Sequence, residues 1–291
     1  MRSRKRKWNQ GYFFIFPAML ALAALILYPL VDTVVLSVTN EAGDFVGIKN
    51  FVSMLSSSTT SLATYNSIVY VGGSIVIQIV VGTIAGILLD RRFIGRGFVR
   101  SILLIPWVVP GVVAATTWAW MLHYEFGIVN LGLQQLHFIT APLGWLTDPN
   151  LVMPSMVAVN VWKMFPFVAL MVLAALQGIP ESLYEAARVD GATFYHEVRY
   201  IMLPHLGAVL ASITLLLLIW GLNGITLIYA MTGGGPANKS LILPLQIFKE
   251  AFEAFDFNRA AALSLVLFVV LFTVIVAQLT VSQKREEKAN D

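Results

Sequence analysis

The sequence predicts an all-α membrane protein with six transmembrane helices. Three observations carry that prediction. The 291 residues are 58% hydrophobic and only 12% charged, and the mean hydropathy is +0.78, values far from those of soluble domains. Apolar runs recur at the length a helix needs to cross a hydrocarbon core of ~30 Å at ~1.5 Å per residue. Lys and Arg gather on alternate connections between those runs.

The first run, 12–31, follows MRSRKRKW, which holds five Lys/Arg. A cleaved signal peptide has a shorter apolar core and small residues at its cleavage site, so an uncleaved first span is expected. The second run, 66–89, carries Gly72, Gly73, Gly82 and Gly86 at a spacing that lets helices approach closely. The remaining runs are 101–121, 151–177, 206–229 and 260–281. Their pattern excludes a β-barrel, whose strands alternate every second residue, because LASITLLLLIW is apolar on all sides. The expected organisation is a cytoplasmic N-terminus, first helix and external loop over 1–61, a five-helix core over 62–281, and a cytoplasmic tail over 282–291.

Charge sets the orientation. The basic residues Arg2, Arg4, Lys5, Arg6 and Lys7 precede the first run. Arg91, Arg92, Arg96 and Arg100 lie between the second and third, and Arg188 and Arg199 between the fourth and fifth. Lys284, Arg285 and Lys288 follow the last. Only Lys49, Lys239 and Lys249 fall on the other connections. Positive charge marks the cytoplasmic side, so both termini and residues 179–203 are expected there. No connection is long enough for a soluble catalytic domain. Net charge is only +3, which gives no reason to expect a nucleic-acid partner, and the absence of cysteine excludes thiolate metal sites.

The stretch EAARVDGATFYHEVRYIMLP, 185–204, is a polar island between two spans. Ser182 and Glu185 fit an S-x-x-E capping box behind Pro180. Gly191 is placed to end that helix at positive φ, and Thr193 to cap a second over 194–201, with Pro204 interrupting before the fifth span. Tyr184, Ala187, Phe194 and Val198 form its expected apolar side. Two readings fit these residues: an amphipathic interfacial loop, or a docking surface for a partner. The segment's length and its acidic residues, Glu185, Asp190 and Glu197, favour docking over lying on an anionic leaflet.

Glu185-Ala186-Ala187, then Gly191, then Ile201, Leu203 and Pro204 match without gaps the EAA---G---------I-LP signature, and the chain resembles the permeases of ABC importers. Other elements are similar to the carbohydrate branch of that family. They are FVGIKNF (45–51), GRGFVR (95–100) with Pro106, GIVN (127–130), Trp162-Lys163 with Pro166-Phe167, and MTGGGP (231–236), where Met231 replaces the usual Leu. The last points to the first of two paired permeases. The resemblance implies a type I importer fold with coupling helices over 181–203. It implies that Glu185, Ala186, Ala187, Asp190, Gly191, Ile201, Leu203 and Pro204 meet an ATPase. The implied partners are a second homologous permease, two cytoplasmic ATPases, an external solute-binding protein and membrane lipid. The implied location is the inner (plasma) membrane of a bacterium or archaeon.

No cofactor is expected on this chain. It contains no Gly-Lys dipeptide, hence no G-x-x-x-x-G-K-[ST] phosphate loop, and ATP and Mg would belong to the partner. His196-Glu197-Val198-Arg199-Tyr200 lacks the second His of a zinc protease motif. Gly233–Gly235 fits a turn better than a phosphate cradle. No catalytic residue is assigned. Polar groups at membrane depth are costly, so Gln78, Asn160, Lys163, Trp220 and Asn223 are the candidates for a substrate pathway, with interhelical bonding or packing as their other role. An ion-gradient-driven secondary transporter is the alternative. It would favour internal repeats and intramembrane ion pairs, and the spans show one lysine without an acidic partner.

Overall fold

Each apolar run does form helix, and the departures fall where proline, glycine or a wide turn changes the backbone. The computed structural model describes residues 6–91 and 93–290, with side chains at 12, 14–91 and 93–280. Arg2, Arg4, Lys5 and Arg92 lie outside the described residues, as do the side chains of the basic tail. The helices are α1 (Arg6–Val38), α2 (Lys49–Leu55), α3 (Ser58–Ser67), α4 (Gly73–Asp90), α5 (Arg96–Val108), α6 (Gly111–Met121) and α7 (Ile128–Gln135). They continue as α8 (Val152–Leu176), α9 (Glu181–Val189), α10 (Phe194–Glu197), α11 (Leu203–Asn223), α12 (Thr226–Thr232), α13 (Leu243–Phe252) and α14 (Phe257–Asn290).

Among the described residues, five helices have the length and apolarity to cross a membrane: Phe14–Val38, Ser58–Asp90, Val152–Leu176, Phe194–Asn223 and Phe257–Thr280. Two of these join neighbouring helices through π-helical turns at Ile68–Gly72 and Val198–Met202. The remaining run, 101–121, is not a straight span. α5 and α6 meet at a 94° bend and make the sixth crossing only as a pair. Pro110 is the cause. It removes an N–H and forces Val109 out of the helical region, to φ −59° and ψ 131°.

Other boundaries differ from expectation: the first span runs on to Val38 rather than 31, and the second starts at Ser58 rather than 66, because α3 joins α4 through the π turn. The fifth span ends at Asn223 rather than 229, because Gly224 turns to φ −94°, ψ 97° and a separate helix α12 follows. Pro204 does not interrupt it. The π turn pairs the Leu203 N–H with the Val198 carbonyl, and this wider turn carries the helix through the proline.

The chain forms two compact units, one of residues 1–57 and 247–269 and one of 58–246 and 270–291. In the first, two asparagines close the end of α1, where helix carbonyls lack partners. Asn50 Nδ2 donates to the carbonyls of Ser37 (3.0 Å) and Thr39 (2.8 Å), and Asn258 Nδ2 to those of Leu36 (3.0 Å) and Thr39 (2.8 Å). The asparagine of the FVGIKNF element is thus a structural clamp.

In the second unit, α4 packs on α8 at glycine contacts. A Cβ on Gly82 would lie 2.4 Å from Val168 Cβ, and one on Gly86 would lie 2.7 Å from Val172 Cγ1. Lipid is as apolar as leucine, so such close approach, rather than exclusion of water, holds these helices together. Gly72 and Gly73 do not share that role, since a Cβ on either meets nothing within 4 Å. A buried cluster runs from Val168, Val172 and Leu176 on α8 through Ile179 and Tyr184 to Met202, Leu206 and Ile213. It ties the polar segment to the spans on either side.

Candidate functional site

Two polar places in the second unit bear on function: a cavity at mid-span and the segment between α8 and α11. The cavity, of about 200 Å³, is lined by Gln78 of α4, Asn160 and Lys163 of α8, and Trp220 of α11. Four of the five residues picked out as pathway candidates therefore converge. Gln78 Nε2 donates to the Asn160 carbonyl at 3.1 Å. Lys163 Nζ donates to the Val109 carbonyl at 2.6 Å, beside the bend of the third span. Asn223 does not line it. Its Nδ2 donates to the Ile219 carbonyl of its own helix at 2.7 Å, so the amide is spent on the last turn of α11.

Sequence reasoning missed Tyr70. It lines the same cavity and is 2% exposed. The signal was a tyrosine in the middle of a span, away from the interface where its hydroxyl meets water. Also missed was the convergence of two helix breaks. Gly111 follows the bend of the third span, Gly224 and Thr226 mark the end of the fifth, and all three line the cavity. Irregular backbone at membrane depth is tolerated where it is buried in protein or faces a cavity, and this cavity joins such backbone to amide, hydroxyl and aromatic groups. That mix suits a polyhydroxylated solute, with amides and tyrosine for hydroxyls and the indole face for C–H surfaces.

The second place is a helix, a glycine turn and a helix. α9 begins two residues earlier than the capping box requires. Pro180 is the cap, so Ser182 and Glu185 both lie inside the helix and the expected S-x-x-E box does not form. Proline's fixed φ suits a helix entrance, and it displaces the serine from that role. The far end is as expected. Gly191 has φ +81°, its N–H bonds to the Arg188 carbonyl (3.1 Å), and the Ala192 N–H bonds to the Ala187 carbonyl (2.9 Å). That is the Schellman arrangement. Thr193 then caps α10, and its backbone N–H donates to His196 Nδ1 at 3.1 Å. The second helix is α-helical only to Glu197 before the π turn, so it merges with the fifth span instead of ending at 201.

Across the turn, Arg188 Nε meets Glu197 Oε1 at 2.9 Å and its NH1 group lies 3.9 Å from Glu181 Oε1. The Glu197 hydrogen bond and charge push the Arg188 guanidinium above its usual range. Arg91, at the end of α4, sits 3.6 Å from the Phe194 ring centre. Tyr184 is buried with an unpaired hydroxyl, and burial, then the Asp90 and Glu197 carboxylates, push it upward. Of the expected apolar side, Tyr184 is buried, Val198 packs against the core cluster, and Phe194 stays exposed under Arg91. The outward surface holds Leu183, Glu185, Ala186, Asp190 and Gly191, with Val189 89% exposed. Ala187 and Ile201 are half-buried, whereas Leu203 and Pro204 are exposed on α11.

Two of the other motifs organise loops. Asn130 of GIVN is buried. Its Nδ2 donates to the carbonyls of Tyr124 (3.2 Å) and Leu143 (3.0 Å), and its Oδ1 accepts from the Leu143 N–H (3.1 Å) and Trp145 Nε1 (2.9 Å). A Cβ on Gly127 would lie 2.3 Å from the His123 carbonyl oxygen, so that position admits only glycine. Gly233 and Gly234 take φ +57° and +90°, which makes their stretch a turn. No group of three or more His, Cys, Asp or Glu that would hold a metal occurs among the described residues.

Residues 78–285 match the family described as binding-protein-dependent transport system inner membrane component. The trehalose/maltose transport system permease protein MalF of Thermococcus litoralis is 32% identical over 97% of this chain and 96% of its own length. The sulfoquinovosyl glycerol transport system permease protein SmoG of Agrobacterium fabrum is 31% identical over 93% of this chain and 89% of its own. A chain in the crystal structure of a bacterial alginate ABC transporter, in complex with an alginate pentasaccharide-bound periplasmic protein, superposes with a TM-score of 0.84. It covers 96% of both chains at 21% identity.

Proposed function

This chain belongs to the family of binding-protein-dependent transport system inner membrane components, and from that premise we propose that it carries a carbohydrate inward through the cavity lined by Tyr70, Gln78, Asn160 and Trp220. It is a multi-pass membrane protein and the permease subunit of an ABC importer. The carbohydrate reading is supported by the trehalose/maltose and sulfoquinovosyl glycerol relatives and by the cavity's mix of amide, hydroxyl and indole groups.

The single observation that carries the mechanism is the outward surface of α9 and its glycine turn. Exposed Leu183 and Val189 beside Glu185 and Asp190 present an apolar and acidic face that the fold itself leaves open. We read it as the seat for an ATPase subunit on the cytoplasmic side. Its two helices are joined by the Arg188–Glu197 pair and rooted in the α8–α11 core, so movement at the seat is passed to the helices that line the cavity. A second permease completes the pathway, two ATPases bind ATP and Mg, and an external binding protein delivers the solute. This chain holds no nucleotide or metal and makes or breaks no covalent bond. Both termini face the cytoplasm.

The test is reconstitution with the neighbouring permease, ATPase and binding protein in proteoliposomes, with labelled trehalose and maltose offered outside. ATP-dependent accumulation that needs the ATPase supports the reading. Accumulation driven by an imposed proton or sodium gradient without ATP would replace it with the secondary-transporter alternative.

A further inference from the structure

We propose that Trp162, Lys163 and Phe167 are positioning residues that brace the broken third span, and that Lys163 acts through the Val109 carbonyl to set the wall of the cavity. The three side chains stand on one stretch of α8 and reach points on both sides of the break. Phe167 meets Trp107 of α5 with ring centres 5.8 Å apart. Trp162 meets Trp118 of α6 edge to face at 5.3 Å. Between them, Lys163 Nζ donates to Val109 O at 2.6 Å.

The bend creates the need for this brace. α5 has 13 residues and α6 has 11, so neither half crosses a ~30 Å core alone at ~1.5 Å per residue. Pro110 interrupts the helical ladder and leaves the Val109 carbonyl without the N–H a continuous helix would supply. Water is scarce at that depth, so the carbonyl needs a donor from the protein. An ammonium at the same depth needs an acceptor, and intramembrane Lys pairs with backbone carbonyls where no acid is at hand. Each group thus meets the other's requirement. The next residue after the break, Gly111, lines the cavity, and a Cβ there would lie 3.4 Å from Thr226 Cγ2 of α12. A shift of the bend therefore moves the cavity wall and the short helix packed on it.

This role differs from direct contact with solute. A solute ligand would matter for one class of cargo. A brace matters with no cargo present, because it fixes the resting geometry that keeps hydrolysis and transport coupled.

The experiment uses the assembled complex. Cysteines placed at exposed Val99 and Val113, one in each half of the bent pair, are unique in this cysteine-free chain. Nitroxide labels at these positions report the distance across the bend, and ATP hydrolysis is measured without solute. With native Lys163, a narrow distance distribution is expected. Lys163→Met should broaden it and raise solute-free hydrolysis severalfold, and Lys163→Arg, which keeps a charged donor, should restore both. A Lys163→Met complex with the parental distribution and parental hydrolysis overturns the proposal. If Lys163→Met does not assemble, Trp118→Leu loosens the brace at another point and must broaden the distribution, and an unchanged one is equally fatal. The hydrolysis readout rests on the importer reading, whereas the distance readout does not, so the two can fail separately.

Discussion

The cavity and the segment between α8 and α11 are both polar, and they treat charge in opposite ways. In the cavity, two polar side chains are committed to backbone. Gln78 donates to the Asn160 carbonyl and Lys163 to the Val109 carbonyl. In the segment, Arg188 and Glu197 pair with each other, while Glu185 and Asp190 stay on the outer surface beside exposed Val189. The difference follows from solvent. At membrane depth an unpaired polar group costs several kcal/mol, so side chains there first satisfy irregular backbone, and only what remains can serve a solute. At an aqueous face the same groups cost little to leave open, which frees them for a partner.

The largest expected effect removes the frame that both regions share. Gly82→Leu places a side chain where even a Cβ would be 2.4 Å from Val168. Ordinary overpacking costs ~1–3 kcal/mol, and here the backbone oxygen of Phe165, 3.0 Å from the same Cβ, leaves the two helices no option but to separate. Loss of the full-length subunit from membranes, measured by immunoblot and size-exclusion chromatography, is the expected outcome.

Glu185→Gln probes the open face alone. Glu185 lies within α9 rather than in a capping box, so the amide changes charge without touching a cap. Removing a charge from a docked pair costs ~2–5 kcal/mol. The subunit should insert normally, and ATPase pull-down should fall steeply.

Gly191→Val is smaller and acts on shape. Its φ of +81° strains any residue with a Cβ by roughly 1–2 kcal/mol, although no neighbour lies within 4 Å of that Cβ. ATPase binding should persist in weakened form while ATP-dependent uptake per hydrolysis drops. The smallest effect belongs to Asn223→Ala. That amide bonds to its own helix, so solute affinity should stay within about the ±0.5 kcal/mol typical of surface changes. A large loss of uptake affinity would redraw the cavity to include it.

What was legible in the sequence follows the same division. The spans were visible because apolar length is a direct consequence of bilayer thickness, and Gly191 was visible because positive φ selects glycine. The bend was not. Pro106 and Pro166 sit inside helices, as do Pro17 and Pro29, and only Pro110 breaks one. Local sequence does not say which proline will be accommodated, since that depends on whether a donor such as Lys163 waits across the gap. Gln78, Asn160, Lys163 and Trp220 were found by their polarity at depth, whereas Tyr70 and the two helix breaks were not. The orientation of Asn223, and the way Pro180 displaces the capping box, are set by helix register and entry geometry. The asparagines of FVGIKNF and GIVN were seen as motifs, but their work as clamps on loop carbonyls appears only once the chain is folded.

If the outer face of α9 seats an ATPase, a cysteine on it must lie within reach of that subunit. Val189 closes that helix, 89% exposed, in a chain without cysteine. Val189→Cys, treated with a short bifunctional cross-linker in membranes containing the whole complex, should yield one product of permease and ATPase, with a yield that changes when ATP is bound. If that cysteine is instead modified by an impermeant maleimide added outside intact cells, and no cross-link to the ATPase forms, the seat faces the wrong side of the membrane and the account is contradicted.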